Sequence, residues 1–283
     1  MNKVFSDTGN LLLGLDQPEN NTLGTPAQFA EYTIIIVTAG EGVFHADFAS
    51  FAFSGPVILF STPQQTISIK ENTALKYAIL QFHSDFYCIE YHRDEVACNG
   101  LLFNTIYIEP SLQLSSDELV SYQMIMSQIT EEFKQPVPSD IVLRAYLQLF
   151  LAKSSSIKIK SIEKQKVYRD EKMDVFRQLL EENFLTLRKP GDYAALLAMT
   201  SNSFTKQCTR RFNKTPSQMI QERLILEAKK QLHLTRLSIK EIAFALKFQD
   251  EYYFSRLFKK MTKISPQAFR NTTGISIVAD LSI

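Results

Sequence analysis

Cysteine is scarce in this sequence: Cys88, Cys98 and Cys208 are the three present, and none belongs to a Cys-x-x-Cys pair. An odd set cannot pair off completely, no zinc-ligand spacing is present, and free thiols fit a reducing compartment. Long apolar runs are missing too, none approaching the about 20 residues of a membrane span. The N-terminal patch Leu11–Leu13 is broken by Gly14 and Asp16 and is too short for a signal peptide. These absences predict a cytoplasmic protein with no membrane contact. Glycine and proline are sparse, 9 and 10 of 283 residues, and 45% of the chain is hydrophobic against 22% charged, which excludes a disordered or fibrous chain. The length predicts about two domains, able to bury roughly three quarters of their extended surface without staples.

The net charge of +1 conceals an asymmetry. Residues 1–160 hold 9 basic and 17 acidic side chains, a net of −8, and the remainder holds 22 basic and 13 acidic, a net of +9. An acidic half joined to a basic half implies two tasks, the basic one facing a polyanion. The junction, Ser154-Ser155-Ser156-Ile157-Lys158-Ile159-Lys160-Ser161, is small, polar and basic, and is expected to be an exposed linker.

In the acidic half, short β-branched and aromatic runs alternate with turn residues. Tyr32–Val37, Val43–Phe48, Val57–Phe60, Thr66–Ile69 and Lys76–Phe82 are the predicted strands, with turns at Ala39-Gly40-Glu41-Gly42 and Ser54-Gly55-Pro56. The pattern predicts a small antiparallel barrel or sandwich. Then the period changes: Leu119, Tyr122, Ile125 or Met126, Ile129 and Phe133 recur at helical spacing behind Ser116-Asp117. Pro136-Val137-Pro138 ends that helix, and a second runs from Ser139 or Asp140 to about Ala152. The apolar stripe of the first helix suits packing on its own barrel or self-association, and residue type alone does not separate them.

A barrel of this size holds one small molecule in its mouth. A metal-dependent barrel needs a His-x-His pair with a carboxylate and a further His, whereas His45 stands alone and His83 and His92 lie far off. No Gly-x-Ser-x-Gly, phosphate loop or Cys–His signature is present. No catalytic constellation, metal site or cofactor is expected.

The basic half reads as helical nearly throughout. Met173, Phe176, Leu179, Leu180 and Phe184 recur at helical spacing before Lys189-Pro190-Gly191 breaks the chain. A near-repeat follows at an offset of 50: Thr200, Phe204, Lys206, Cys208, Arg210, Thr215 and Pro216 match Asp250, Phe254, Arg256, Phe258, Lys260, Ser265 and Pro266. Each copy has a short helix (from Tyr193, and from Ile239), a tight turn, an N-cap and a second helix. Helix, turn, helix twice over is a DNA-reading arrangement. With Phe204, Cys208 and Phe212 buried, the first reading helix shows Asn202, Thr205, Lys206, Thr209 and Arg210 outward. With Phe254, Leu257, Phe258 and Met261 buried, the second shows Tyr252, Tyr253, Arg256, Lys259 and Lys260. Lys206/Arg210 and Arg256/Lys260 are like-charge i, i+4 pairs whose repulsion phosphates or guanine edges would relieve. Between the copies, Ser217–Leu232 predicts one connecting helix, a stiff strut of roughly 24 Å.

The stretch from about Asp170 to Thr272 resembles the DNA-binding domain of the AraC/XylS transcription regulators. The resemblance rests on Ile242-Ala243, Phe248-Gln249-Asp250, Tyr253 through Lys260, Ser265-Pro266 and Phe269-Arg270, with Arg223 through Lys229 similar to the family's linker helix. It implies that Asn202, Thr205 and Lys206 touch bases, and Tyr252, Tyr253 and Arg256 do so in the second unit. It implies a cupin-like sensing and dimerising domain ahead of it, which residues 25–153 resemble. Departures are Lys247, Asn213 and Lys263 at positions the family commonly fills with Gly, and Cys208 where Phe is common, so the first unit is expected to pack more loosely.

The expected architecture is thus α+β and multidomain: a cupin-like β-barrel with a helical pair in 1–153, a linker over 154–169, and an all-α domain in 170–283 with helix-turn-helix units at about 192–213 and 239–261. The expected partners are double-stranded promoter DNA, a small-molecule effector in the barrel, a second copy in a homodimer and, in an activator, RNA polymerase, in a bacterial, nucleoid-associated setting. A cupin-type enzyme anchored to nucleic acid by its helices is the competing class, and a regulator whose barrel only assembles the protein is the third.

Overall fold

In the computed structural model, which describes residues 2–6, 9, 11–47, 49–84, 86–87, 101–103, 109–165 and 171–273, the β-rich region is built around one strand apolar on both faces. That strand, β3 (Tyr32–Ala39), carries Ile34 and Ile36 on one side and Ile35 and Val37 on the other, all buried. It sits inside a six-stranded antiparallel sheet ordered β1-β2-β8-β3-β6-β9, with β1 at Asn2–Phe5, β2 at Leu11–Asp16, β6 at Val57–Ser61, β8 at Lys76–Phe82 and β9 at Ser111–Gln113. Ile35 pairs with Leu59 on one neighbour and Ile79 on the other, so a row of branched side chains crosses the sheet in register. A second, three-stranded sheet is ordered β5-β4-β7, with β4 at Glu41–Ala46, β5 at Ala49–Ser54 and β7 at Ile67–Glu71. Phe44, Ala46, Phe53, Ile67 and Ile69 from this sheet share a core with Ile35, Val37, Leu59 and Ile79.

Two helices cover the other face of the large sheet. Helix α1 (Ser116–Phe133) starts on a capping box, in which the Ser115 hydroxyl accepts from the Glu118 N–H and the Glu118 carboxylate accepts from the Ser115 N–H. Helix α2 (Asp140–Gln165) packs beside it, and Tyr122, Ile125, Met126, Ile129, Leu143, Leu147 and Phe150 join Ile34, Ile36 and Phe60 in a second core. The apolar stripe of α1 is therefore occupied by its own sheet. The layers are small sheet, large sheet and helical pair, and each buried branched side chain contributes about 1.5–3 kcal/mol.

Three expectations change here. The closed barrel is an open arrangement: no ladder among the described strands joins the two sheets, and the chain crosses between them four times, at Gly40, at Gly55, over 62–66 and over 72–75. Gly40 is required, having φ +104 and leaving only 2.6 Å between a hypothetical Cβ and the Ala74 carbonyl oxygen. The exposed linker at Ser154–Ser161 is a continuation of α2. Ser154 is fully buried, 2.9 Å from the Tyr122 hydroxyl, and the Lys158 ammonium, 7% exposed as a residue, donates to the Ser111 carbonyl. Small hydroxyl side chains let the helix approach closely, and the lysine stem lies along apolar surface while its head finds a carbonyl. The predicted strands also miss β1 and β9, which are short, β2, which holds Gly14 and Asp16, and β5, whose Ala and Ser residues dilute its apolar alternation.

The chain divides into an N-terminal unit ending at Glu163 and a C-terminal unit from Lys164. The C-terminal unit is all helix: α3 (Glu171–Asn183), α4 (Pro190–Leu196), α5 (Ser201–Phe212), α6 (Pro216–Leu234), α7 (Ile239–Ala245), α8 (Glu251–Thr262) and α9 (Pro266–Thr273). One core runs through it, from Met173, Phe176 and Leu180 on α3 to Phe254 and Phe258 on α8 and Phe269 on α9. Helix α6, 19 residues and so about 28 Å long, touches α3, α4, α5, α7, α8 and α9 and is the axle of the unit.

Candidate DNA interface

Two segments of this unit are built alike. Pro190 at the first position opens α4, and a capping box of Ser238 and Glu241 opens α7; hydrogen bonds at Ser238 hold the exposed Glu241 carboxyl below its ordinary range. Both short helices end through a left-handed residue, Ala198 at φ 49 and Lys247 at φ 58. The closing bonds correspond: Met199 N–H to Ala194 O and Phe248 N–H to Ala243 O, each 2.9 Å. The N-caps are Thr200, whose hydroxyl accepts from Ser203 N–H at 3.2 Å, and Asp250, whose carboxylate accepts from Tyr252 and Tyr253 N–H at 2.9 and 3.0 Å. Past the reading helices come Asn213 and Lys263, left-handed at φ 55 and 67, then Pro216 and Pro266 opening α6 and α9. The repeat has two offsets, 49 for the first helices and 50 from the N-caps onward, because Gln249 lengthens the second turn by one residue.

The reading helices α5 and α8 are twelve residues each and sharply two-sided. Phe204, Cys208 and Phe212 are buried on α5, and Phe254, Phe258 and Met261 on α8, with Leu257 half-buried. Asn202, Thr205, Lys206, Thr209 and Arg210 are all exposed, as are Tyr252, Tyr253, Arg256, Lys259 and Lys260. Each group shares one helix face, and helical spacing is the signal that exposes it.

The expected looseness around Cys208 is absent. Its thiol is fully buried and donates to the Met219 thioether at 3.2 Å, and burial pushes it up to about 12. Phe212, one turn along, supplies the missing bulk and packs with Phe204 around Phe176. In the second copy the order reverses: Phe258 is large and Thr262, the equivalent of Phe212, is small, its hydroxyl donating to Phe258 O and Ile264 O at 2.9 Å. Volume is conserved across the pair rather than at each position.

Several cations that enlarge the positive count serve the interior. Lys214 pairs with Glu222 at 2.6 Å, the two side chains 2% and 13% exposed. Arg223 holds Glu181 at 2.8 Å and Glu227 at 3.3 Å while its guanidinium lies 3.9 Å from the centre of the Phe184 ring. Arg270 donates to the carbonyls of Leu232 and Leu237, and Arg188 to that of Leu246; burial lowers both guanidinium pKa values. Composition could not reveal these roles, because Arg188's carbonyl partner and Arg223's partner Glu181 lie 58 and 42 residues away.

In the N-terminal unit, His45 meets Ser50 Oγ at 2.8 Å across a hairpin. No group of three or more His, Cys, Asp or Glu is placed to hold a metal among the described residues; Cys88, His92 and Cys98 lie outside them. Buried side chains of both sheets meet in the shared core. A cavity of about 450 Å³ lies on the opposite face of the large sheet, between Ile36, Tyr77 and Ala78 and the α1 residues Gln123, Met126 and Thr130, with Lys76 and Glu131 also at its lining. No helix among the described residues is long and apolar enough to cross a membrane.

A family model described as a helix-turn-helix domain matches residues 193–272, spanning α4 to α9. No curated protein matches the sequence. Among solved structures, ToxT from Vibrio cholerae is 13% identical over 93% of this chain and 98% of its own, with a TM-score of 0.40. The C-terminal domain of the two-component response regulator yesN from Fusobacterium nucleatum is 22% identical over 36% of this chain and 99% of its own, with a TM-score of 0.34. The DNA-binding domain of AdpA in complex with a target DNA is 21% identical over 36% of this chain and 92% of its own, with a TM-score of 0.33. The assignment rests on the family match, together with the paired construction of α4–α5 and α7–α8. Residues 193–272 of this chain form a helix-turn-helix domain of the AraC type.

Proposed function

We propose that the protein is a sequence-specific transcription regulator that reads double-stranded promoter DNA with α5 and α8 in successive major grooves. The observation that carries this reading is the pair of two-sided helices, capped and terminated alike, which bury their apolar sides in one core and keep their cationic and hydrogen-bonding sides outside. Near the helix N-termini, Asn202, Thr205 and Lys206, and Tyr252, Tyr253 and Arg256, have the chemistry to meet base edges. Thr209, Arg210, Lys259 and Lys260, farther along, suit phosphates. The stiffness of α6 supports a fixed spacing between the two.

On this reading residues 170–283 bind DNA and residues 1–153 sense a signal or dimerise. The cavity beside α1 supports a small-molecule input on the helical face of the sheet. The setting is the bacterial cytoplasm, with a homodimer on the nucleoid and RNA polymerase as a further partner if the regulator activates.

Footprinting of the full chain on genomic promoter fragments tests the reading. The expected result is two protected patches about one helical turn apart, with affinity falling linearly on a log–log salt plot. Lys259→Ala is expected to lower that salt slope by about 1 without changing sequence preference. Binding indifferent to salt, or protection with no sequence preference, would overturn the proposal.

A further inference from the structure

Arg188 lies in the segment between α3 and α4, five residues ahead of the matched domain, yet it reaches into the second helix-turn-helix unit. Its guanidinium donates to the Leu246 carbonyl, one of the orphan acceptors at the end of α7, and sits 4.5 Å from the centre of the Phe248 ring. Phe248 continues the chain of contacts: its ring centroid is 5.2 Å from Phe254 and 5.9 Å from Tyr253, a reading-face residue of α8. On its other side, Arg188 is tied to the first unit. The neighbouring Leu187 carbonyl accepts from the Tyr193 hydroxyl at 3.0 Å, and Tyr193, fully buried on α4, packs edge-on against Phe176.

The geometry points to Arg188 as a positioning residue that fixes the second reading helix relative to the first, and so sets the base-pair spacing the protein accepts between half-sites. A planar, permanently charged fork suits this place: one edge caps the carbonyl while the face covers an aromatic ring, which a lysine cannot do together. Among the described residues no guanidinium donates to Leu197, the matching position of the first turn, which is also one residue shorter and capped by Thr200 in place of Asp250. The brace itself stands on geometry alone; its consequence for spacing rests on the DNA-reading proposal above.

Hydrogen exchange and DNA binding of the full chain, wild type against Arg188→Ala and the stem-preserving Arg188→Met, separate the possibilities. Exchange of the Lys247 and Phe248 amides is expected to accelerate at least 10-fold in both variants, with Ala198 and Met199, the same positions of the first turn, unchanged. On operators with one base pair inserted between half-sites, the wild-type loss of affinity is expected to shrink at least five-fold in the variants. Unchanged exchange at Lys247 and Phe248, or equal acceleration at both turns, would overturn the assignment, the latter making Arg188 a general core support. A variant with accelerated exchange but an undiminished spacing penalty would overturn its role in spacing. Wild-type protein that ignores the insertion would sink the paired-groove reading, while the exchange pattern still decides whether Arg188 braces the turn.

Discussion

Arg256 Nη2 lies 3.8 Å from Asp250 Oδ2, so the carboxylate that caps α8 also holds the cation six residues along it. The Arg256 side chain is 71% exposed, and an ion pair so open to water is worth about 0–1 kcal/mol. An anionic partner would draw the guanidinium away at small cost, while the cap keeps its two backbone donors.

This relationship separates two substitutions. Arg256→Ala is expected to weaken binding to a specific site by about 1–3 kcal/mol and to relax preference at one base pair, with stability nearly unchanged. Asp250→Ala is expected to cost about 1 kcal/mol of folding stability through the lost cap. Titration at fixed salt and urea unfolding check the two arms; an Arg256→Ala protein that binds as the wild type does removes the base-reading role.

Lys247 adopts φ 58 in the turn before α8, a conformation that costs an L-residue with a side chain about 1–2 kcal/mol. Lys247→Gly relieves that strain but adds freedom to the unfolded chain, which offsets roughly half of the gain. A net stabilisation of about 0.5–1 kcal/mol is the expected balance, visible as a raised urea midpoint with the slope preserved.

Arg223 ties α6 to α3 through Glu181 and Phe184, with its own side chain 6% exposed. Removing it leaves Glu227, 19% exposed, without its cation. Arg223→Ala is expected to cost about 3 kcal/mol, and Arg223→Met less, since the stem's packing survives. Thermal unfolding of both variants gives the order; equal losses would assign the effect to the lost charge rather than to the stem.

Cys208 reacts as a thiolate, and burial keeps its thiol protonated until about pH 12. At pH 8 a thiol reagent is expected to label it only when the C-terminal unit opens, so its labelling rate follows global unfolding in urea. Peptide mass mapping reads Cys208 separately from the other two thiols, and rapid labelling of the native protein would contradict the burial.

The reading faces are legible from periodicity because a helix on a protein surface repeats its apolar positions every three to four residues. The polar positions between Asn202 and Arg210, and between Tyr252 and Lys260, therefore sort to the outside by spacing alone. The two-sided β3 is legible as a strand for a related reason, a continuous branched run. What misleads is polarity taken as exposure: Ser154, Ser155 and Lys158 read as linker but belong to α2 and are buried, Ser154 against the Tyr122 hydroxyl of α1 and Lys158 on the Ser111 carbonyl of β9.

Short-range pattern thus specified the caps and the outward faces of α5 and α8, which depend on residues within about four positions of one another. Long-range folding settled the rest. Two sheets sharing a core in place of a closed barrel, Phe212 packing against Phe176, and Arg188 and Arg223 engaged with a carbonyl and a carboxylate all depend on groups tens of residues apart. Those encounters are made by burial, which matches volume, charge and hydrogen-bond partners in space and leaves no periodic trace along the chain.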